Sequence, residues 1–206
     1  MAHEISVARR EHLRELSDVL ARAFQQDPVA CWTFPDPETR RRSLPKVFAA
    51  MLRHQHLRHG ACEFVTADSG RIIGSALWDP PGRWKQTLVQ QLISLPAYAR
   101  AAGRGAARAA AMVNAMEKVH PSEPHWYLAV IGTDPDPRFR GKGHGAALMR
   151  SRLERCDRLG LPAYLEASDP ENVPYYERFG FEVTGILPAP AGAPRVPTMW
   201  RRPGAS

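Results

Sequence analysis

Arg138-Phe139-Arg140-Gly141-Lys142-Gly143-His144-Gly145 is the stretch whose reading decides the fold of this chain. It follows Trp126-Tyr127-Leu128-Ala129-Val130-Ile131, a nearly continuous apolar run of the kind expected for a buried central strand. It opens residues 143–159, where Ala146, Met149, Leu153 and Cys156 recur at helical spacing. Glycines at such a strand-to-helix junction let backbone N–H groups approach an anion with no Cβ in the way. The helix N-terminus adds unpaired donors and a partial positive charge. Arg138, Arg140 and Lys142 add full charges, so the segment reads as a cradle for a pyrophosphate.

Competing readings of the glycines fare worse. A nucleotide-triphosphate loop requires Ser or Thr after the lysine, and Lys142 is followed by Gly143. Gly141-x-Gly143-x-x-Ala146, with Glu166 about 20 residues on, satisfies the loose dinucleotide pattern. That pattern places its first glycine at the end of the strand, whereas Asp134-Pro135-Asp136-Pro137-Arg138-Phe139-Arg140 intervenes here. Too little chain follows to complete a doubly wound sheet. A helix start that merely tolerates glycine does not account for alternating glycines interleaved with basic residues.

Outward from the loop, the pattern predicts strands at residues 5–8, 63–67, 71–78, 163–167, 181–186 and 196–200, with the turn Asp68-Ser69-Gly70 making a hairpin of the second and third. Residues 11–25 read as a helix with Leu13, Leu16, Leu20 and Phe24 on one face, stopped by Asp27-Pro28. A second helix spans about residues 38–58. Residues 84–116 are helical in composition, with Leu88, Leu92 and Leu95 on one face before Pro96 interrupts. Gly160 caps the helix after the glycine loop, and a short helix at residues 172–179 ends at Gly180. The fold class is α/β: a mixed sheet flanked by helices, in one domain over residues 1–206.

Composition narrows the function classes. No apolar run approaches the ~20 residues of a membrane span, and the first residues do not read as a signal peptide. Cys31, Cys62 and Cys156 are odd in number and widely spaced, which points to a reducing compartment and so to the cytoplasm. The net charge of +7 comes mostly from arginines scattered among acids, with no interleaved aromatics, so a solvated surface is a better reading than a nucleic-acid platform. His54, His56 and His59 invite a metal reading, but only His56 and His59 share a helix face, with no cysteine or acid cluster beside them. A solvated face is expected there, and no metal.

Two segments together resemble a known family. Arg140-x-x-Gly143-x-Gly145 behind the strand at residues 126–133 is similar to the pyrophosphate-binding motif of the GCN5-related N-acetyltransferases. Leu165-Glu166-Ala167-Ser168-Asp169-Pro170-Glu171-Asn172-Val173-Pro174-Tyr175-Tyr176-Glu177-Arg178-Phe179-Gly180-Phe181 resembles that family's C-terminal motif. The likeness covers about the last 80 residues closely. Ala23-Phe24 with Asp27-Pro28, Ala76-Leu77-Trp78 and the insert before Glu123-Pro124-His125-Trp126 resemble the puromycin N-acetyltransferase branch more faintly.

The resemblance implies a sheet whose two central parallel strands splay apart. The pantetheine arm of acetyl-coenzyme A (acetyl-CoA), the co-substrate, would pair there with the backbone of Val130, Ile131 and Gly132. Arg138, Arg140, Gly141, Lys142, Gly143, His144, Gly145 and Ala146 would hold the pyrophosphate, and Asn172 matches a position that contacts coenzyme A. Residues 1–122, with the insert at 84–120, would form the acceptor side, and residues 123–206 the acetyl-CoA side. Tyr176 matches the family's general acid, and its bland alternative is a core tyrosine. Glu166, beside the splay, is a candidate base, with a carboxylate that bonds backbone amides as the equal alternative. Trp78 and Trp84 are expected in the core, and the insert could act as a lid. The implied activity is direct transfer of an acetyl group to a primary amine of a small molecule. A peptide acceptor, or a regulatory module that binds coenzyme A without catalysis, is the alternative. A homodimer is left open.

Overall fold

Each strand predicted from the sequence is present in the computed structural model, which describes residues 4–205: β1 (Ile5–Val7), β2 (Glu63–Thr66), β3 (Ile72–Asp79), β4 (Trp126–Thr133), β5 (Ala163–Glu166), β6 (Phe181–Ile186) and β7 (Pro197–Arg201). They form one seven-stranded sheet in the order β1-β2-β3-β4-β5-β7-β6. Within it β4 and β5 run parallel and the other neighbours antiparallel, which rules out a doubly wound dinucleotide fold. The helices are α1 (Leu13–Ala23), α2 (Pro28–Thr33), α3 (Pro37–His54), α4 (Leu88–Ala102), α5 (Ala106–Val119), α6 (His144–Leu159) and α7 (Val173–Glu177).

The apolar faces sort into layers. Leu16, Val19 and Leu20 of α1 and Leu44, Phe48 and Leu52 of α3 pack with Phe64 and Leu77 on one face of the sheet. On the other face Leu148, Met149, Leu153 and Cys156 of α6 pack on Ile73, Trp78, Leu128 and Leu165. A third cluster joins Met112 and Ala115 of α5 to Val29 and Trp32 of α2 and to Leu187 and Val196 between β6 and β7.

α6 is anchored through its middle by a buried cation. Arg152 Nη2 donates to Ala61 O (3.1 Å) and to Glu63 Oε1 (2.5 Å) at the edge of β2, and the guanidinium lies 4.6 Å from the Trp126 ring. At the far end Asp157 accepts both Nη atoms of Arg201 on β7. These bonds aim the helix N-terminus.

Three expectations are corrected. Asp27-Pro28 does more than stop α1: the Asp27 carboxylate accepts from Ala30 N (2.8 Å) and caps α2, with Pro28 in the first turn. Pro96 does not interrupt the insert, because it lies inside α4. The Leu88, Leu92 and Leu95 face is 77, 72 and 62% exposed, and the buried positions of α4 are the small residues Ser94, Ala101 and Ala102. Small residues let α4 lie close to its neighbours, and hydrophobic spacing alone does not reveal that. Finally, His56 is not on a solvated face. Its Nδ1 lies 2.9 Å from Asp79 Oδ1, and both side chains are almost wholly buried.

Candidate active site

The parallel pairing of β4 and β5 covers Trp126↔Ala163, Tyr127↔Tyr164 and Leu128↔Leu165 and no more. From there β4 continues beside β3 to Thr133, while β5 ends at Glu166. The cause is visible in the register with β3: Leu77 faces Val130 but Trp78 faces Leu128, so Ala129 is an extra residue. Such a bulge bends the strand and raises its twist. The main chain of residues 129–133 is therefore left without a strand on its β5 side. Val130, Ile131 and Gly132 all lie on this open edge. The Val130 side chain packs under α1, and Ile131 packs toward α6.

The open edge leads into the glycine loop. Asp134 is fixed at its start by Arg22 (3.0 Å) and Arg71 (3.1 Å). The chain then turns, with Arg140 N bonding back to Asp136 O. Gly141 and Gly143 have φ of +74° and +82°, a region L side chains rarely adopt, which is why glycine stands at both. Gly143 is the residue before α6, no side chain caps that end, and intrahelical bonding begins at Ala147 N→Gly143 O. The backbone donors of Gly145 and Ala146 thus have no intrahelical acceptor. Gly141 and Lys142 are exposed, and His144 is buried in the first turn. Arg140 is exposed. Arg138 turns aside: its Nε and Nη2 bind Asp136 at 3.1 and 2.7 Å, and that hydrogen bond holds Asp136 down to about 2.

α7 presents its tyrosines in different directions. The Tyr175 hydroxyl is buried without a hydrogen bond, and it lies 3.0 Å from where a Cβ on Gly145 would sit. Burial pushes Tyr175 up to about 12. Burial pushes Tyr176 well above the ordinary phenol range, with the charges of Tyr175, Asp27 and Asp169 adding to it. Asn172 is exposed at the start of α7. Gly145→Ala is expected to lower acetyl-CoA affinity by about tenfold, ~1.4 kcal/mol, in a calorimetric titration. Adding Tyr175→Phe, which removes the obstructing oxygen, should restore most of it.

Two carboxylates lie where β5 parts from β4. Glu166 is the first residue past the last parallel pair, and its Oε1 is buried without a hydrogen bond, 3.9 Å from His120 Nδ1. Its charge adds to burial in raising Tyr127 and Tyr164. Asp27 is the second. Its Oδ2 accepts from the Ser168 hydroxyl, two residues beyond Glu166. Burial raises Asp27, and the Ser168 bond opposes that rise. Sequence reasoning missed the pairing of Asp27 with Ser168. The Asp-Pro helix-start signature could have pointed to a buried cap there.

The description "Acetyltransferase (GNAT) family" fits residues 21–181 of the chain. The chain belongs to this family. It is therefore an acetyltransferase, and its mixed sheet is the fold of the family's solved members. A structure from Corynebacterium glutamicum, described as histone acetyltransferase HPA2 and related acetyltransferase, is 27% identical with a TM-score of 0.76, covering 100% of this chain and 99% of that one. The Drosophila melanogaster polyamine N-acetyltransferase is 15% identical with a TM-score of 0.65, covering 97% and 99%, which shows the fold alone. An N-acetyltransferase of Schizosaccharomyces pombe, described as uncharacterized, is 43% identical over 56 residues; the match spans 27% of this chain and 22% of that protein. Among the described residues no helix is long and apolar enough to cross a membrane, and no group of three or more His, Cys, Asp or Glu is placed to hold a metal ion.

Proposed function

We propose that the protein transfers the acetyl group of acetyl-CoA to the amine of a small molecule, both bound together. The observation that carries this reading is the open backbone edge of β4 running into an uncapped helix N-terminus, with Tyr176 near Asp27 and Glu166 on β5 just past the last parallel pair. Such an edge fits a chain rich in amides, as pantetheine is, through main-chain pairing at Val130, Ile131 and Gly132. The glycine loop from Arg138 to Ala146 fits a pyrophosphate, with Arg140 and Lys142 beside it and Asn172 near the entrance. Residues 123–206 thus serve the co-substrate and residues 1–122 the acceptor.

Tyr176 and Glu166 divide the proton work. Glu166 takes a proton from the acceptor amine. Tyr176, neutral throughout the working pH range, donates a proton to the departing sulfur, whose acidity resembles that of a cysteine at roughly 8.5. Asp27, near Tyr176, adds negative charge and draws in a cationic amine. Small acceptors are favoured because α2, which Asp27 caps, is held against α5 and the β6–β7 connection through Trp32, Met112, Leu187 and Val196, which walls the region beside Asp27. The likeness in fold to a polyamine N-acetyltransferase agrees with this. A peptide amine is the second reading, favoured by the histone acetyltransferase description of the Corynebacterium structure.

Calorimetry with acetyl-CoA, and NADH as control, tests the cradle: saturable binding of acetyl-CoA alone is expected. Mass spectrometry of a panel of amines and peptides then decides the acceptor, and acetylation of peptides alone would overturn the small-molecule reading. Asp27→Asn should raise KM for a cationic amine by roughly tenfold with little change in kcat, the pattern of lost uniform binding.

A further inference from the structure

Glu166 does not stand alone on its face of the sheet. Tyr164 precedes it by two residues, and Tyr127 is the cross-strand partner of Tyr164, the two rings 6.0 Å apart. His120, just after α5, closes the group. Its ring meets Tyr127 and Tyr164 edge-on at 4.8 and 5.0 Å, and Trp84 stacks over it at 3.6 Å. The side chains of His120 and Glu166 are each 2% exposed. His120 Nε2 lies 3.0 Å from His125 Nε2.

The positions of the ring protons follow from the partners. His125 Nδ1 is 2.6 Å from Glu123 O, and a carbonyl only accepts, so that nitrogen carries the hydrogen. Burial pushes His125 down, toward the neutral ring. A neutral His125 with hydrogen on Nδ1 has a bare Nε2. The short contact to His120 is then a hydrogen bond that His120 Nε2–H donates. Only His120 Nδ1 remains open, and it faces Glu166 Oε1 at 3.9 Å. The remaining charged and titratable groups around the cluster are Lys85, over Trp84 and paired with Glu117, Asp79, whose charge reaches Tyr127, and Glu123, whose charge reaches His125, while the hydroxyls of Tyr127 and Tyr164 face the Glu166 carboxylate.

Resting on the acetyl-transfer reading above, we infer that His120 is a positioning residue that relays the acceptor's proton. One proton leaves the amine nitrogen for a Glu166 oxygen, and passes from there to His120 Nδ1. The resulting imidazolium keeps its Nε2–H on His125. Its charge faces the Glu166 carboxylate, restored for the next amine. A groove of about 360 Å³, lined by Pro81, Trp84, His120, Glu123 and His125, brings water to the pair to take the proton away. The arrangement explains a buried histidine pair placed directly behind a carboxylate where β5 parts from β4.

The test has two arms on the full chain. Imidazole ¹⁵N spectra of the protein without ligands should show hydrogen on Nδ1 of His125 and on Nε2 of His120. Glu166→Gln should change the Nδ1 signal of His120 and leave His125 unchanged. For the reaction, the amine acetylated best by the wild type is used. His120→Gln should lower kcat by about tenfold near neutrality and move the acidic limb of the pH–rate profile, since the group that takes the proton from Glu166 is gone. KM for acetyl-CoA should stay within about twofold. His120→Phe, which keeps a ring under Trp84, should show the same loss if the fold is intact by circular dichroism. An Nδ1 signal indifferent to Glu166, or a His120→Gln profile that does not move, overturns the relay. If the wild type binds acetyl-CoA but acetylates nothing, the transfer reading fails, and the spectra still decide where the proton sits.

Discussion

Tyr176→Phe is expected to lower kcat by about 100-fold or more, while acetyl-CoA affinity and the KM of the amine change by less than about twofold. General acid catalysis is worth roughly 10²–10⁴, and a group that acts only in the transition state leaves ground-state binding alone. The pH dependence has a definite sign. Burial raises Tyr176, so the hydroxyl is protonated through the ordinary phenol range, and no basic limb near pH 10 should arise from it in the wild type. Steady-state kinetics between pH 6 and 10, with calorimetry for binding, check both statements. Tyr175→Phe is the control. Its hydroxyl faces the glycine loop, so kcat should be unchanged. Equal losses from the two variants would remove Tyr176 from its role.

Arg152→Ala is expected to destabilise the fold by about 3–5 kcal/mol, the range for breaking a buried ion pair from one side. In a chain of this size that lowers Tm by on the order of 10 °C. Burial pushes Glu63 up and Arg152 down, each toward its neutral form, against their mutual attraction. Desolvation therefore outweighs the pairing. The double variant Arg152→Met with Glu63→Leu should accordingly lie within about 1–2 kcal/mol of the wild type. Urea denaturation of the wild type and the two variants separates these outcomes. A small loss in Arg152→Ala would mean that the pair, with Ala61 O and the Trp126 ring, does not hold α6 to the sheet.

The sequence made the C-terminal half legible because its elements are decided locally. The β4 run, the glycines before α6 and Gly160 each carry their own signal, and each falls where expected. The splay came from the family resemblance, and its cause, the extra Ala129, has no local signature. Reasoning failed where distant segments meet. Nothing near Asp27 announces Ser168, and nothing near His56 announces Asp79. His120 and His125 look unremarkable until Tyr164, Glu166 and Trp84 arrive around them. Pro96 within α4 shows a local breaker overruled by the rest of its helix.

The open edge of β4 separates two demands that usually compete within a site. Its backbone offers donors and acceptors to the cleft, while the side chains of Val130 and Ile131 belong to the packing on either face. Main-chain recognition is indifferent to the identity of a side chain. Volume-conserving swaps such as Ile131→Leu should therefore cost only what the core packing costs, and under the proposed reading they leave the backbone edge offered to the co-substrate intact. α2 and α5, which the reading proposed above gives to the acceptor, take no part in the β4–β5 pairing. A scaffold divided in this way can acquire a new acceptor preference while its donor half stays as it is.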